Sequence, residues 1–192
     1  MQFLPILAPF KITAPIPIKE LSPIIDEVAT HFNTYATISN DALRAKTTTL
    51  KAKITAKTKA KDDEIFALKA QIDSDLTLSI NDKENIYTKI DELEKEILVQ
   101  LEEILEEIRG EAFAVVKETA RRWSENGQLI VDAQSFDIDL ASTKDGITID
   151  GDKAIWSNTW SAAGAEVSWN MIHYDVQLMG GGVLHKGNIA EM

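Results

Sequence analysis

The stretch that decides the fold is residues 82–124, DKENIYTKIDELEKEILVQLEEILEEIRGEAFAVVKETARRWS. Apolar residues recur through it at spacings of three and four: Ile86, Ile90, Leu93, Ile97, Leu101, Ile104, Ile108, Ala112 and Val115. This spacing places them on one face of a single continuous helix. A helix of roughly 40 residues is about 60 Å long, so the sequence predicts one long helix from about Asp82 to Ser124.

A weaker stripe precedes this helix. It begins after a cap at Ser39-Asn40-Asp41 and continues to about Leu76. Its apolar positions are Leu43, Leu50, Ile54, Ile65, Leu68 and Ile72, with Thr47 and Thr58 filling two slots. Residues 73–82, DSDLTLSIND, break the period and predict a turn. Two long helices joined by a turn form an antiparallel hairpin, in which each buried Leu or Ile contributes on the order of 1.5–3 kcal/mol.

The charges of the two helices support the same pairing. The basic residues of the first helix are Arg44, Lys46, Lys51, Lys53, Lys57, Lys59 and Lys61. The acidic residues of the second are Glu94, Glu96, Glu102, Glu103, Glu106, Glu107 and Glu111. Folding back near residue 78 places these stretches side by side, so the basic run is interpreted as a self-neutralising face rather than a nucleic-acid or lipid patch.

The N-terminal part is interpreted differently. Residues 1–19 contain four prolines in an apolar run without a basic start, which fits neither a signal peptide nor a membrane span. We expect an extended arm there, with a weak membrane or partner-docking segment as the alternative. A short helix is predicted over Glu20–Phe32, with Ser22 as its N-cap and Pro23 at its first position.

The sequence after Trp123 changes character. Short strands are predicted at 129–131, 147–149, 154–158 and 166–169, a short helix at 135–144, a helix over 169–184 and a final strand at 189–191. The tryptophans in this region are interpreted as packing residues. The fold class is therefore α+β, with an extended arm (1–19), a helical hairpin region (20–125), a small β-rich insertion (126–170) and a C-terminal segment (171–192).

Composition excludes several classes of function. A net charge of −11 argues against nucleic acid as a partner, because phosphate binding needs a basic surface. The absence of cysteine excludes a disulfide framework and a thiolate metal site. None of the three histidines has a metal-ligand partner at helical spacing, so no metal site is expected. No catalytic motif occurs, including the Gly-x-x-x-x-Gly-Lys-[Ser/Thr] phosphate loop.

Three segments nevertheless carry a family resemblance. Residues 173–192, HYDVQLMGGGVLHKGNIAEM, are similar to the segment before the phosphate loop of SecA, the bacterial preprotein translocase ATPase. Residues 111–122, EAFAVVKETARR, and the SNDALRAKT run at 39–47 are similar to two further SecA segments, in the same order along the chain. Gly182 and Gly110 differ from the usual family residues, which are Met, Ile or Val and Pro respectively.

The resemblance implies a fold and a site. Residues 171–192 would form the first helix and strand of a P-loop (RecA-like) motor domain. Gln177 would read the adenine edge of ATP, since its amide offers both a donor and an acceptor, and Tyr174 and Met171 would line the base pocket. From the residues alone, the same helix is interpreted as an amphipathic surface helix with Tyr174 and Leu178 facing the core.

The resemblance also implies a function. The chain would be the N-terminal part of a motor that couples ATP, with Mg²⁺, to preprotein transport through a SecYEG-type channel. The motor would be cytoplasmic and peripheral on the inner membrane, and a homodimer is compatible with the sequence. Without the phosphate loop, these 192 residues alone are expected to be inactive as an ATPase. The competing hypothesis is a non-enzymatic helical hairpin that acts as a scaffold or interaction module.

Overall fold

The computed structural model describes residues 17–191 and has the predicted α+β composition. Its helices are α1 (Ile18–Tyr35), α2 (Asn40–Ser74), α3 (Ile80–Asn126), α4 (Ser135–Ala141) and α5 (Asp175–His185). Its strands are β1 (Gln128–Asp132), β2 (Ile147–Asp150), β3 (Lys153–Ser157), β4 (Thr159–Ala162) and β5 (Ala165–Ser168). Residues 1–16 of the expected arm lie outside the described residues, and residues 18 and 19 belong to α1.

Helices α2 and α3 form the predicted antiparallel hairpin. The Ser39 hydroxyl accepts the Ala42 N–H at 3.1 Å, as expected for an N-cap. Ser79 and Asp82 form a reciprocal capping box that begins α3. Gly127 ends α3 with φ of 70°, the left-handed conformation that glycine adopts without strain. With 47 residues, α3 is about 70 Å long.

The hairpin has two cores along its length. At its base, buried residues of α2 and α3 pack with α1 and α5: Ile24, Val28, Tyr35, Leu43, Leu50, Ile104, Ile108, Ala114, Val115 and Leu178. Toward its tip, Ile65, Ile90 and Leu93 are the buried residues of a second cluster. Thr58 is buried in the stripe as predicted, whereas Thr47 is exposed, so assigning it to the stripe was wrong.

Cross-hairpin ion pairs follow much of the predicted charge pairing. Lys53 and Lys46 approach Glu111 at 3.0 and 3.9 Å, Lys57 approaches Glu103 at 3.1 Å, and Lys61 pairs with Glu96. Two basic residues of α2 pair with carboxylates outside α3. Lys59 pairs with Asp63 on its own helix, and Arg44 pairs with Asp137 on α4.

The predicted N-cap of α1, Ser22, is wrong. The chain is already helical from Ile18, so Ser22 and Pro23 lie inside the helix. The Ser22 hydroxyl therefore donates to the Ile18 carbonyl one turn back, at 3.3 Å, and does not cap a following N–H. Further along, α1 crosses α3 closely at Gly110, where an added Cβ would lie 2.7 Å from Glu27 Cβ.

The β-rich segment forms two small antiparallel sheets. One has the order β1-β3-β2, and the other is the hairpin β4-β5, whose first strand the sequence analysis missed. The predicted helix over 169–184 begins only at Asp175, because Tyr174 is still extended. The predicted strand at 189–191 is not formed: within the described residues no strand pairs with it, and a strand needs a partner for its backbone hydrogen bonds.

Candidate functional site

Two of the segments that suggested the family meet at Arg122 of α3. Its Nη2 donates to the carbonyls of Tyr35 and Ile38 at 2.6 and 2.9 Å, and its Nη1 donates to Asn40 Oδ1 at 2.8 Å. Tyr35 is the last residue of α1, Ile38 lies in the connecting loop, and Asn40 is the first residue of α2. The Arg122 guanidinium therefore fixes the turn between α1 and α2 against α3. A planar guanidinium with several N–H donors is suited to binding several acceptors at once.

The carboxylate of Glu118 is the counter-charge of this guanidinium. It is fully buried and accepts from Arg122 Nε at 2.7 Å and from Arg121 Nη2 at 2.6 Å. Burial alone would raise the pKa of Glu118, but the hydrogen bonds from Arg121 and Arg122 outweigh it and hold that pKa below its ordinary value. Glu118 is thus a buried anion with two cationic partners.

The 39–47 segment connects the hairpin to the β-rich region. Asn40 Nδ2 donates to the Ile130 carbonyl at 3.1 Å, and the Asp132 N–H donates to Asp41 Oδ1 at 2.8 Å. Burial would raise the pKa of Asp137, but hydrogen bonds from Arg44 and from the Gln134 backbone keep it low. These matched residues therefore have structural roles, which sequence reasoning missed because their partners are distant in the sequence.

A further buried polar group joins α1 to the hairpin. The Tyr35 hydroxyl donates to Glu111 Oε1 at 2.8 Å, and Lys53 approaches the other carboxylate oxygen at 3.0 Å. Burial and the adjacent carboxylate raise the pKa of Tyr35. Desolvation opposes ionisation of Glu111, but the hydrogen bonds from Lys53 and Tyr35 outweigh it and lower its pKa. This contact between Tyr35 and Glu111 could not be predicted from the sequence, because the two residues are 76 positions apart.

The three predicted adenine-side residues lie at the N-terminal end of α5. Gln177 is the third residue of the helix, and its Oε1 accepts the backbone N–H of Tyr174 at 2.9 Å. The Tyr174 side chain is 71% exposed, so the alternative that placed it facing the core was wrong, whereas Leu178 is buried as that alternative expected. Met171 is half-buried, and its carbonyl accepts from Trp169 Nε1 at 2.8 Å.

Neighbouring side chains fix this helix end. Asp175 pairs with Lys117 of α3 at 3.3 Å, and the Lys117 ammonium lies 5.4 Å from the Phe32 ring centroid. Trp169 lies between Trp123 and His173, with ring centroids 6.4 and 6.2 Å away. The helix start is therefore attached to α3 on one side and to an aromatic row on the other.

Small residues allow α5 to lie directly on α1 and α3. An added Cβ at Gly181 would lie 3.2 Å from Phe113, and one at Gly182 would lie 2.3 Å from the Ile24 methyl carbon Cδ1.

Residues 17–191 contain no group of three or more His, Asp or Glu side chains placed to bind a metal ion. Over the same residues, no helix combines the length and apolar character that crossing a membrane requires.

Comparison with known proteins defines the class first. A family profile described as the SecA DEAD-like domain matches residues 10–192. Similar relatives are each named protein translocase subunit SecA. The one from Bacteroides fragilis is 48% identical over 177 residues, and those from Phocaeicola vulgatus and Porphyromonas gingivalis are 47% and 44% identical over 175 residues. No solved structure matches at a significant level.

The particular family follows from these matches. The alignments cover 91% of this chain but only 15 to 16% of each relative. The chain therefore belongs to the SecA family and corresponds to an N-terminal portion of a SecA subunit.

Proposed function

We propose that this chain is the front part of an ATP-driven motor that moves preproteins across the inner membrane. The observation that supports this most directly is the 48% identity to a translocase subunit over 91% of the chain. Residues 171–191 then lead into the P-loop of a RecA-like motor domain. The segment 189–191 becomes a strand once neighbouring strands are present to pair with it.

Within that motor, we assign the adenine side of the ATP site to Gln177, Tyr174 and Met171. The arrangement of these residues suits a base. The Tyr174 ring is exposed and can stack on a purine. The Gln177 carboxamide is oriented by the Tyr174 N–H, its Oε1 keeps a second lone pair, and its Nε2 has no partner among residues 17–191. Adenine offers the matching N6 donor and N7 acceptor.

The remaining roles follow from the same assignment. ATP with Mg²⁺ supplies the energy of the cycle, and the groups that bind its phosphates belong to a later part of the motor. The partners are the unfolded preprotein and a SecYEG-type channel, and the motor works on the cytoplasmic face of the membrane. The buried networks around Arg122 and Arg44 hold α1, the hairpin and the β-rich region together. The adenine-side helix α5 packs on α1, where Gly182 lies against Ile24.

The test uses a complete SecA subunit that carries this chain as its N-terminal part. Gln177→Ala should raise the KM for ATP at least tenfold and reduce the preference for ATP over GTP, because the side chain that hydrogen-bonds the adenine edge is removed. Gln71→Ala, at an exposed position near the hairpin tip, is the matched control and should change neither. An unchanged KM and nucleotide preference for Gln177→Ala would overturn the assignment of this residue.

A further inference from the structure

The β-rich region leaves the rest of the chain and returns to it at a narrow neck. It begins just after Trp123, near the end of α3, and it ends at Trp169, two residues before Met171. The indole rings of these two tryptophans lie with their centroids 6.4 Å apart. The Trp123 Nε1 also donates to the Trp156 carbonyl of β3 at 3.1 Å. Residues 124–168 are therefore an excursion whose two ends meet at a pair of tryptophans.

Asn158, between β3 and β4, joins the two ends of this excursion. Its Nδ2 donates to the carbonyls of Trp123 and Trp169 at 3.3 and 3.2 Å. Its backbone N–H donates to the Gly127 carbonyl at 2.8 Å, and its carbonyl accepts the Trp169 N–H at 2.7 Å. Both backbone polar groups of Trp169 are thus bound by one residue of the β-rich region, so a movement of Asn158 also moves Trp169.

The loop beyond the neck depends on the Trp169 indole. Residues 169–174 form neither helix nor strand, so their backbone groups lack the regular partners of those elements. The Trp169 Nε1 donates to the Met171 carbonyl at 2.8 Å. The His173 ring lies 6.2 Å from the Trp169 ring, and its Nδ1 is buried without a partner among residues 17–191. One indole therefore contacts this loop twice, just before Tyr174 and α5.

We propose that Trp169 is a positioning residue of the adenine pocket, and that Asn158 sets its position from the β-rich region. The proposal rests on the adenine role proposed above for Met171, Tyr174 and Gln177. Trp169 acts through the backbone of Met171 and does not itself touch the base. Because the groups that bind the phosphates lie elsewhere in the motor, the β-rich region adjusts the affinity for the nucleotide and leaves the chemical step unchanged.

The first test removes the indole N–H in a complete SecA subunit that carries this chain as its N-terminal part. Trp169→Phe keeps an aromatic ring and deletes the donor to Met171. The KM for ATP should rise about three- to tenfold, the range expected for one lost hydrogen bond. The kcat should stay unchanged, because a rise in KM alone reports lost binding of the substrate. The preference for ATP over GTP should fall.

The matched control is Trp160→Phe. It makes the same chemical change at a half-buried tryptophan of β4, whose indole donates to no residue in the described part of the chain. This control should leave both KM and kcat unchanged. A merely structural role for Trp169 would lower kcat and the melting temperature without a specific rise in KM, and that result would overturn the proposal.

Measuring Gln177→Ala in the same series separates this proposal from the function on which it rests. If Gln177→Ala raises the KM for ATP and Trp169→Phe does not, the positioning role is wrong and the adenine assignment stands. If neither variant changes the KM, the adenine assignment is wrong and the positioning role falls with it.

The second test determines whether Asn158 acts through Trp169. Asn158→Ala removes the amide that binds both neck carbonyls, so the KM for ATP should rise. In a Trp169→Phe background the same change should raise the KM by a smaller factor, because the indole N–H through which it acts is already gone. Asn81→Ala, at an exposed position near the hairpin tip, is the control and should not change the KM. Equal factors in the two backgrounds would overturn the route through Trp169.

Discussion

Arg44 on α2 binds Asp137 on α4 through two parallel hydrogen bonds of 2.8 and 2.9 Å, although 93 residues separate them in the sequence. The Asp137 side chain is fully buried and also accepts the Gln134 N–H at 2.8 Å. This geometry is the two-pronged arrangement in which arginine and carboxylate interact most strongly. It ties the base of the hairpin to the β-rich region.

Removing the arginine from this pair should be costly. Arg44→Met leaves the Asp137 carboxylate buried without its cation, and loss of one partner of a buried pair typically costs about 3–5 kcal/mol. Urea unfolding of the two proteins at pH 7 measures the difference. Lys59→Met breaks the exposed Lys59–Asp63 pair and should cost less than about 1 kcal/mol. Similar costs for both variants would contradict the importance given to the buried pair.

The free energy of unfolding should fall in acid by more than the protonation of exposed carboxylates alone would cause. The pKa values of Glu118, Glu111 and Asp137 lie below their ordinary values in the folded chain. Their contribution is therefore complete above the unfolded-state values of about 4 and is lost as pH falls through and below them. Urea midpoints should be flat from pH 7 to about 5 and then decline. Below pH 5 the urea midpoint of Glu118→Gln should decline less steeply than that of Glu92→Gln, which changes an exposed residue and serves as the control.

At high pH, Tyr35 should dominate a second loss of stability. Burial, the hydrogen bond to Glu111 and the charge of that carboxylate raise the pKa of Tyr35. A raised folded-state pKa contributes stability that is complete below about pH 10, the ordinary tyrosine value, and is lost as pH rises above it. Unfolding midpoints from pH 8 to 11 should decline more for the natural chain than for Tyr35→Phe. Tyr87→Phe, at an exposed position, should retain the natural slope.

The contact between Gly182 and Ile24 should show strong coupling. An added Cβ at Gly182 would lie 2.3 Å from Ile24 Cδ1, so Gly182→Ala forces Ile24 to move and should cost about 1–3 kcal/mol. In an Ile24→Ala background, the same change should cost less, because the obstructing methyl group is gone. A double-mutant cycle by urea unfolding should give a coupling energy above about 0.5 kcal/mol. Additive costs would show that the two residues do not share this space.

The long helices could be predicted because their signal is local and continuous. Every residue of the predicted α3 stripe, from Ile86 to Val115, is buried or partly buried in the structure. The Ser39 cap was also correct, because a cap uses only neighbouring backbone groups. Ser22 and Pro23 gave an equally good local signal that was wrong, since nothing local shows that the helix has already begun at Ile18.

The remaining errors concern non-local partners. Arg44 has an acidic helix beside it in the hairpin, yet its partner is Asp137, and only the folded path of the β-rich region brings that carboxylate near. The predicted strand at 189–191 has no neighbouring strand among the described residues. At the candidate site, the sequence placed Gln177 in a helix, and the structure adds the bond to the Tyr174 N–H. The adenine role of these residues stays a prediction.

The continuity of α3 has a mechanical consequence. The same unbroken helix carries Arg122 near the β-rich region and Tyr87 near the hairpin tip, and the two are roughly 50 Å apart along its axis. A stiff rod of that length converts a tilt of about 5° at the Arg122 end into a sweep of about 4 Å at the other end. Small rotations at the start of α5, which Lys117 ties to this rod, would thus be magnified at the tip.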